Sequence, residues 1–343
     1  MGADGAWRRA GGRLRTALFT WREAPGAHRV AARVMLVLLV ALSTLLALGR
    51  IDLAPYASFG AFASLYGGAL RRHDRWPFQA RQGVLLTLAV TSGCLVATTP
   101  IAAWLVIPVA GAWTALAAAL SDRYRWRPPG PLFFVFAVAT SAAIPVSATT
   151  VGLAALACAA TATLAVLLGA AEVAIWGGTD DDHPAWAIRW ERWRVQAVRC
   201  SMAVMVAGLI STLAGIERPY WAMIAAVVPL TVPGLGHQLT RALHRVLGTL
   251  VGVLLAGVLL ALQLPGPAVV VAVVLLQGAA ELLVVRHYGL ALVFITPLAL
   301  LLGSLGHTGP VLPVLEARLV ETLIGTAVGA LAAFLTRERG RLG

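Results

Sequence analysis

Lysine is missing from this chain: all 27 basic residues are arginine. Acidic residues number only 15, and charged residues make up 12% of the 343, about half of the ~25% usual in soluble domains. Cysteine is scarce too. Cys94, Cys158 and Cys200 lie far apart in or beside apolar runs, with neither metal-ligand nor disulfide spacing, and read as inert small hydrophobes. No nucleophilic triad, phosphate-binding loop or metal-ligand cluster is visible. An enzyme reading therefore has no residue set, and no metal or cofactor is expected. A cleavable signal peptide is not expected either, since the first 29 residues are polar and arginine-rich.

What is present in excess is apolar surface. Hydrophobic residues are 59% of the chain and the mean hydropathy is +0.82, which points to a bilayer as solvent. A net charge of +12 could suggest nucleic acid, but the arginines gather in short segments between apolar runs, as positive-inside loops do. The expected partners are therefore a small-molecule substrate and a bilayer with an anionic inner leaflet, without nucleic acid. Monomer and homo-oligomer both stay open.

A spanning helix needs about 20 apolar residues. Runs of that kind fall near 30–48, 54–70, 82–99, 101–120, 131–148 and 151–175, then near 197–214, 219–234, 246–263, 267–285, 288–305 and 316–336. Prolines and glycines mark most joints. Every second connection carries the arginines, and the opposite connections hold only Arg50 and Arg218, with Arg318 at the start of the last span. The expected fold is all-α: a polytopic membrane protein of about twelve transmembrane helices, with both termini cytoplasmic. Its parts are a basic tail at 1–29, a first six-helix unit at 30–176, a linker at 177–194, a second six-helix unit at 195–337 and a tail at 338–343. In the first tail Trp7, Leu14, Leu18 and Trp21 can share one helical face opposite arginines. That suits either an interfacial helix on the inner leaflet or a disordered basic tail.

The two units echo each other. Pro55 and Tyr56 align with Pro219 and Tyr220, His73 with His237, and Arg81 with Arg245; Arg33 and Arg199 each precede a first span. Two parallel six-helix repeats are expected, related by an axis along the membrane normal. The second span of each unit is short and rich in glycine or proline, the pattern that points to a transport site.

Within "RVLGTLVG" (245–252), Gly248 and Gly252 share a helical face, as Gly325 and Gly329 do in "LIGTAVG" (323–329). Small faces let helices approach closely in lipid, so these are expected packing seams, with each other as one pairing. Arg241 and Arg245 also share a face, which continues to Thr249. One reading is a pair of snorkelling topology anchors. The other is a clamp, since a guanidinium can hold a carboxylate in a bidentate fork.

The order "YWAMIAAVVPL" followed by "RALHRVLGTLVGVLLAG" resembles the fusaric-acid-resistance-like (FUSC) membrane domain, a family related to the aromatic acid exporters. The residues that carry the resemblance are Tyr220, Trp221 and Ala222, then Arg241, Arg245, Gly248, Thr249 and Gly252. It is best over about 191–337; Arg81-Gln-Gly-Val lacks the Gly-Thr pair. The resemblance implies a multi-span permease that exports small organic anions, notably aromatic carboxylates. Longer members carry a soluble domain between the halves, where this chain has only "GGTDDDHPAWAIRWERWR".

On this reading the candidate substrate-binding residues are Arg245, Arg241, Thr249, Tyr220, Trp221 and Arg81. Intramembrane acids are costly and usually functional, so Glu321 and Glu281 are the candidate proton carriers, against plain pairing of Glu321 with Arg318 and of Glu281 with Arg286. The function expected is a proton-motive-force-driven exporter of small organic anions. The alternatives are an anion channel without proton coupling and a non-transporting assembly protein.

Overall fold

A computed structural model describes residues 19–67, 70, 72–177, 190–216, 218–305 and 311–337. Most of the basic tail, most of the linker and the last six residues lie outside the described residues. The expected interfacial face falls there too, apart from an exposed Trp21. Among the described residues all regular structure is helical.

Six α-helices make the first half: α1 (Ala27–Ala47), α2 (Ala54–Ala61), α3 (Arg72–Ala97), α4 (Ala102–Tyr124), α5 (Leu132–Ala143) and α6 (Ala148–Trp176). Six more follow: α7 (Trp190–Leu213), α8 (Tyr220–Val227), α9 (Leu235–Ala261), α10 (Gly266–Val284), α11 (Tyr288–Ser304) and α12 (Val311–Leu335). The start of α7 at Trp190 takes the last residues of the expected linker into a helix. The segment before α1 is tied to the other half, with the Arg22 N–H donating to the Arg286 carbonyl at 3.1 Å.

Eight of these helices are long and apolar enough to cross a membrane: α1, α3, α4, α6, α7, α9, α10 and α12. The other four are shorter, so eight of the about twelve expected crossings are matched by helices of spanning length. The reason is plainest in α2 and α8. Each has 8 residues and tightens into a 3-10 turn, Phe62–Leu65 or Val228–Thr231, giving under about 20 Å against a ~30 Å hydrocarbon core. Both then stop at an extended residue, Tyr66 or Val232. Glycines with left-handed φ follow, Gly67 at 79° and Gly234 at 82°, a conformation that other residues adopt at a cost. Every residue of α2 and of α8 is buried. A helix apolar on all sides because protein surrounds it has the same hydropathy as one surrounded by lipid.

Helix packing repeats with a shift of six. The pairs α3–α5, α3–α6, α2–α6 and α4–α5 recur as α9–α11, α9–α12, α8–α12 and α10–α11. Between the halves, α4 packs on α7 and α10 packs on α1. The glycine seams face different neighbours and do not meet each other. A Cβ on Gly248 would lie 2.3 Å from the Gly289 carbonyl oxygen, and one on Gly252 would lie 2.7 Å from Thr296 Cβ, both on α11. A Cβ on Gly325 or Gly329 would lie 2.1 or 2.3 Å from the carbonyl oxygen of Ala222 or Ala226, on α8. These approaches set the two short helices α8 and α11 tightly against α12 and α9.

Candidate functional site

The buried face of α9 carries Gln238, Ala242, Arg245, Thr249, Gly252 and Ala256, spaced three or four apart so that they share one side. Arg245 lies about 15 Å along the helix from Leu235 and is only 4% exposed. Burial within the protein separates it from a snorkelling anchor, which keeps its charge in water. The close approach of α9 and α11 brings Tyr288 to it. The His287 ring caps α11, with Nδ1 accepting from the Leu290 N–H at 3.0 Å, and so fixes Tyr288 in the first turn. Arg245 Nη1 donates to the Tyr288 hydroxyl at 3.3 Å. Half-buried Arg241 lies over the Tyr288 ring at 4.1 Å. One tyrosine thus occupies both arginines through its two ends, although each Nε is buried without a hydrogen-bond partner. The Thr249 hydroxyl is buried and unpartnered as well.

Across from α9, the buried face of α12 carries Arg318, Glu321, Thr322, Gly325, Thr326 and Gly329. Because the two glycines let α12 rest on the backbone of α8, Arg318 and Glu321 reach the first turn of α8. Arg318 lies 3.7 Å over the Trp221 ring and has no exposed surface. Among the described residues none of its three guanidinium nitrogens has a hydrogen-bond partner. Arg245 is close enough to repel it, while Tyr220, Glu321 and Tyr288 lie within electrostatic reach. Glu321 instead faces the start of α8, its Oε2 accepting from the Trp221 N–H at 3.1 Å. A helix start leaves such N–H groups unsatisfied, and a carboxylate there is favoured by the helix dipole. Glu321 is thereby held by α8, and the expected pairing with Arg318 is absent. Tyr220 and Trp221 are both buried, with ring centres 4.7 Å apart.

Three arginines and one glutamate thus gather among α8, α9, α11 and α12, leaving an excess of buried positive charge. Arg318 is the member that sequence reasoning missed. Its i, i+3 spacing to Glu321 suggested a simple ion pair, and nothing in the sequence showed that α8 would take the carboxylate.

The other candidates stand elsewhere. Arg81 is exposed on α3 and does not join the cluster. Glu281 on α10 accepts from Gln277 Nε2 at 2.6 Å. The Arg286 guanidinium turns to the backbone oxygens of Leu282 and Ala24, so the expected Glu281–Arg286 pairing is also absent. Glu281 lies instead within electrostatic reach of Arg33, part of a second cluster. There Glu172 on α6 bonds both Arg33 on α1 and Arg75 on α3, the latter at 2.8 Å, and Arg33 Nη2 donates to the Ser64 carbonyl at 2.6 Å. A lone acid late in an apolar span was the sequence signal for it. Among the described residues no group of three or more His, Cys, Asp or Glu could hold a metal ion.

Comparison with known proteins bears on the same stretch. Residues 205–332 match the family model described as fusaric acid resistance protein-like. The chain is 30% identical over 146 residues to the uncharacterized membrane protein YvaC of Bacillus subtilis, covering 42% of this chain and 23% of that one. It is 31% identical over 139 residues to the uncharacterized protein YhfK of Escherichia coli, covering 40% and 19%. The chain therefore spans less than a quarter of the length of either relative. No solved structure matches it. The matched residues include Tyr220, Trp221, Arg241, Arg245, Arg318 and Glu321, so the second half of this membrane protein, where the cluster lies, is similar to the fusaric acid resistance protein-like (FUSC) family.

Proposed function

We propose that this protein is a transporter that exports small organic anions, aromatic carboxylates among them, across the cell membrane at the expense of the proton-motive force. The observation that carries the reading is the excess of positive charge at Arg241, Arg245 and Arg318 inside membrane-crossing helices. Charge in that environment is costly unless paired or functional, and a guanidinium suits a carboxylate in charge and shape. The arginine-rich connections, set on an anionic inner leaflet, would raise the local concentration of anions on the cytoplasmic side.

The architecture proposed is two parallel six-helix repeats with both termini cytoplasmic and α2 and α8 as half-spanning segments. The six-shift in helix packing supports it, as does the arginine alternation. Rocking of one half against the other at the α4–α7 and α10–α1 contacts would open the site to alternate sides. Glu321 and Glu281 remain the residues proposed to couple protons. They lie in different clusters, so single neutralisations tell them apart.

The test is uptake of labelled benzoate into proteoliposomes, with and without an imposed pH gradient, for wild type, Glu281→Gln and Glu321→Gln. A carrier shows gradient-driven uptake that one of the two substitutions uncouples. Flux that ignores the gradient and survives both substitutions identifies an anion channel instead. No flux for any acid in a panel overturns the transport reading.

A further inference from the structure

We infer that Arg318 is the seat of the transported anion, with Arg245 and Arg241 serving as the approach to it. The inference rests on the transport reading above and names the site within it. The three arginines differ in what already holds them. Arg241 lies on the Tyr288 ring and Arg245 donates to the Tyr288 hydroxyl. Arg318 has a ring beneath it at 3.7 Å and, among the described residues, no acceptor at any of its nitrogens. A guanidinium carries five N–H donors in a fixed planar fork, and all of these are unmet in a group with no exposed surface.

Buried donors of this kind are normally bonded, and one left open calls for a ligand or a functional reason. Among the described residues Glu321 does not meet the need, because the α8 backbone holds it through the Trp221 N–H. Trp221 presents its face to the cation, and the unmet N–H groups along a guanidinium edge suit an acceptor with two oxygens, the bidentate geometry of a carboxylate. The buried indole N–H of Trp221 is likewise without a partner. Glu321 acts here as a positioning residue: it holds the start of α8 and so places the Trp221 ring under Arg318.

The experiment measures binding apart from transport. Wild type, Arg318→Gln, Arg318→Lys, Arg318→Met and Arg245→Gln are placed in lipid nanodiscs, titrated calorimetrically with benzoate and separately with chloride, and melted without added anion. Arg318→Gln should weaken benzoate by about tenfold or more, the loss of a charged bidentate contact. Arg318→Lys should recover part of it, as a point charge without the fork. Arg245→Gln should change benzoate affinity by less than about threefold while slowing proteoliposome flux, because a charge along the approach governs rate more than affinity. Arg318→Met should melt at the same or a higher temperature than wild type without anion, since an unmet buried charge is removed.

Equal benzoate affinity in wild type and Arg318→Gln overturns the assignment and leaves the transport reading standing. Loss of the native fold in both Arg318→Gln and Arg318→Met also overturns it, since Arg318 would then be structural. Chloride binding that needs Arg318, without benzoate binding to wild type, keeps the anion seat and removes the organic-anion reading. Failure of wild type to bind either anion overturns both.

Discussion

Two buried charge clusters occupy the two halves of this protein, and they are built differently. Around Glu172 in the first half, each charged partner has an answer. The carboxylate bridges Arg33 and Arg75, a backbone carbonyl takes another Arg33 donor, and Glu281 adds a second negative charge within reach. Around Arg318 in the second half, the carboxylate of Glu321 is held by α8 and, among the described residues, the guanidinium has no acceptor. A buried network in which each arginine bonds an acid joins helices, here α1, α3 and α6. An unsatisfied one with an excess of positive charge waits for a counter-charge. The difference separates a structural lock from a binding site more sharply than burial alone, since Arg33 and Arg318 are both buried.

The largest expected effect breaks the lock. Glu172→Ala leaves two arginines facing each other with no acid between them. It should destabilise the protein by ~3 kcal/mol or more, read as a fall in thermal unfolding temperature in detergent or nanodiscs. The matching change in the other cluster, Arg318→Met, should leave stability unchanged or raise it by about 1 kcal/mol. If both changes destabilise alike, the contrast between lock and site is wrong.

A packing change of intermediate size tests how α12 delivers Arg318 to α8. Gly325→Ala puts a Cβ 2.1 Å from the Ala222 carbonyl oxygen. Separating the two helices should cost about 1–3 kcal/mol and weaken benzoate binding together with stability. An effect on stability with unchanged binding would mean that the seat does not depend on the α8–α12 contact. The smallest effect is expected at Arg81, which is exposed. Arg81→Ala should stay within about 0.5 kcal/mol of wild type and leave flux unchanged, whereas Arg245→Gln should slow it. Equal slowing by both would extend the site into the first half.

Much of this was legible from the residues alone. The long apolar runs became helices, and the Gly/Pro-rich second segment of each half proved to be an unusual element. The faces were readable as well: Arg241, Arg245 and Thr249 follow from their spacing, as do Gly325 and Gly329. The glycine seams show where such reading stops. Spacing placed each pair on one face, yet α11 and α8 as their neighbours emerged only from the packed bundle. The same limit applies to the acids. Glu281 and Arg286 lie close in sequence, but Arg286 turns to the backbone and Glu281 to Gln277.

The sequence by itself determined that the chain is helical and membrane-bound, because composition and apolar length are properties that any arrangement of the helices retains. It also determined which side chains stand together on one helix, because the helical repeat is local. Only the tertiary structure decided which of those side chains find partners. Whether Arg318 is half of an ion pair or an open cationic site depends on where the first turn of α8 lies. That turn lies where it does because two glycines on α12 let the backbones touch.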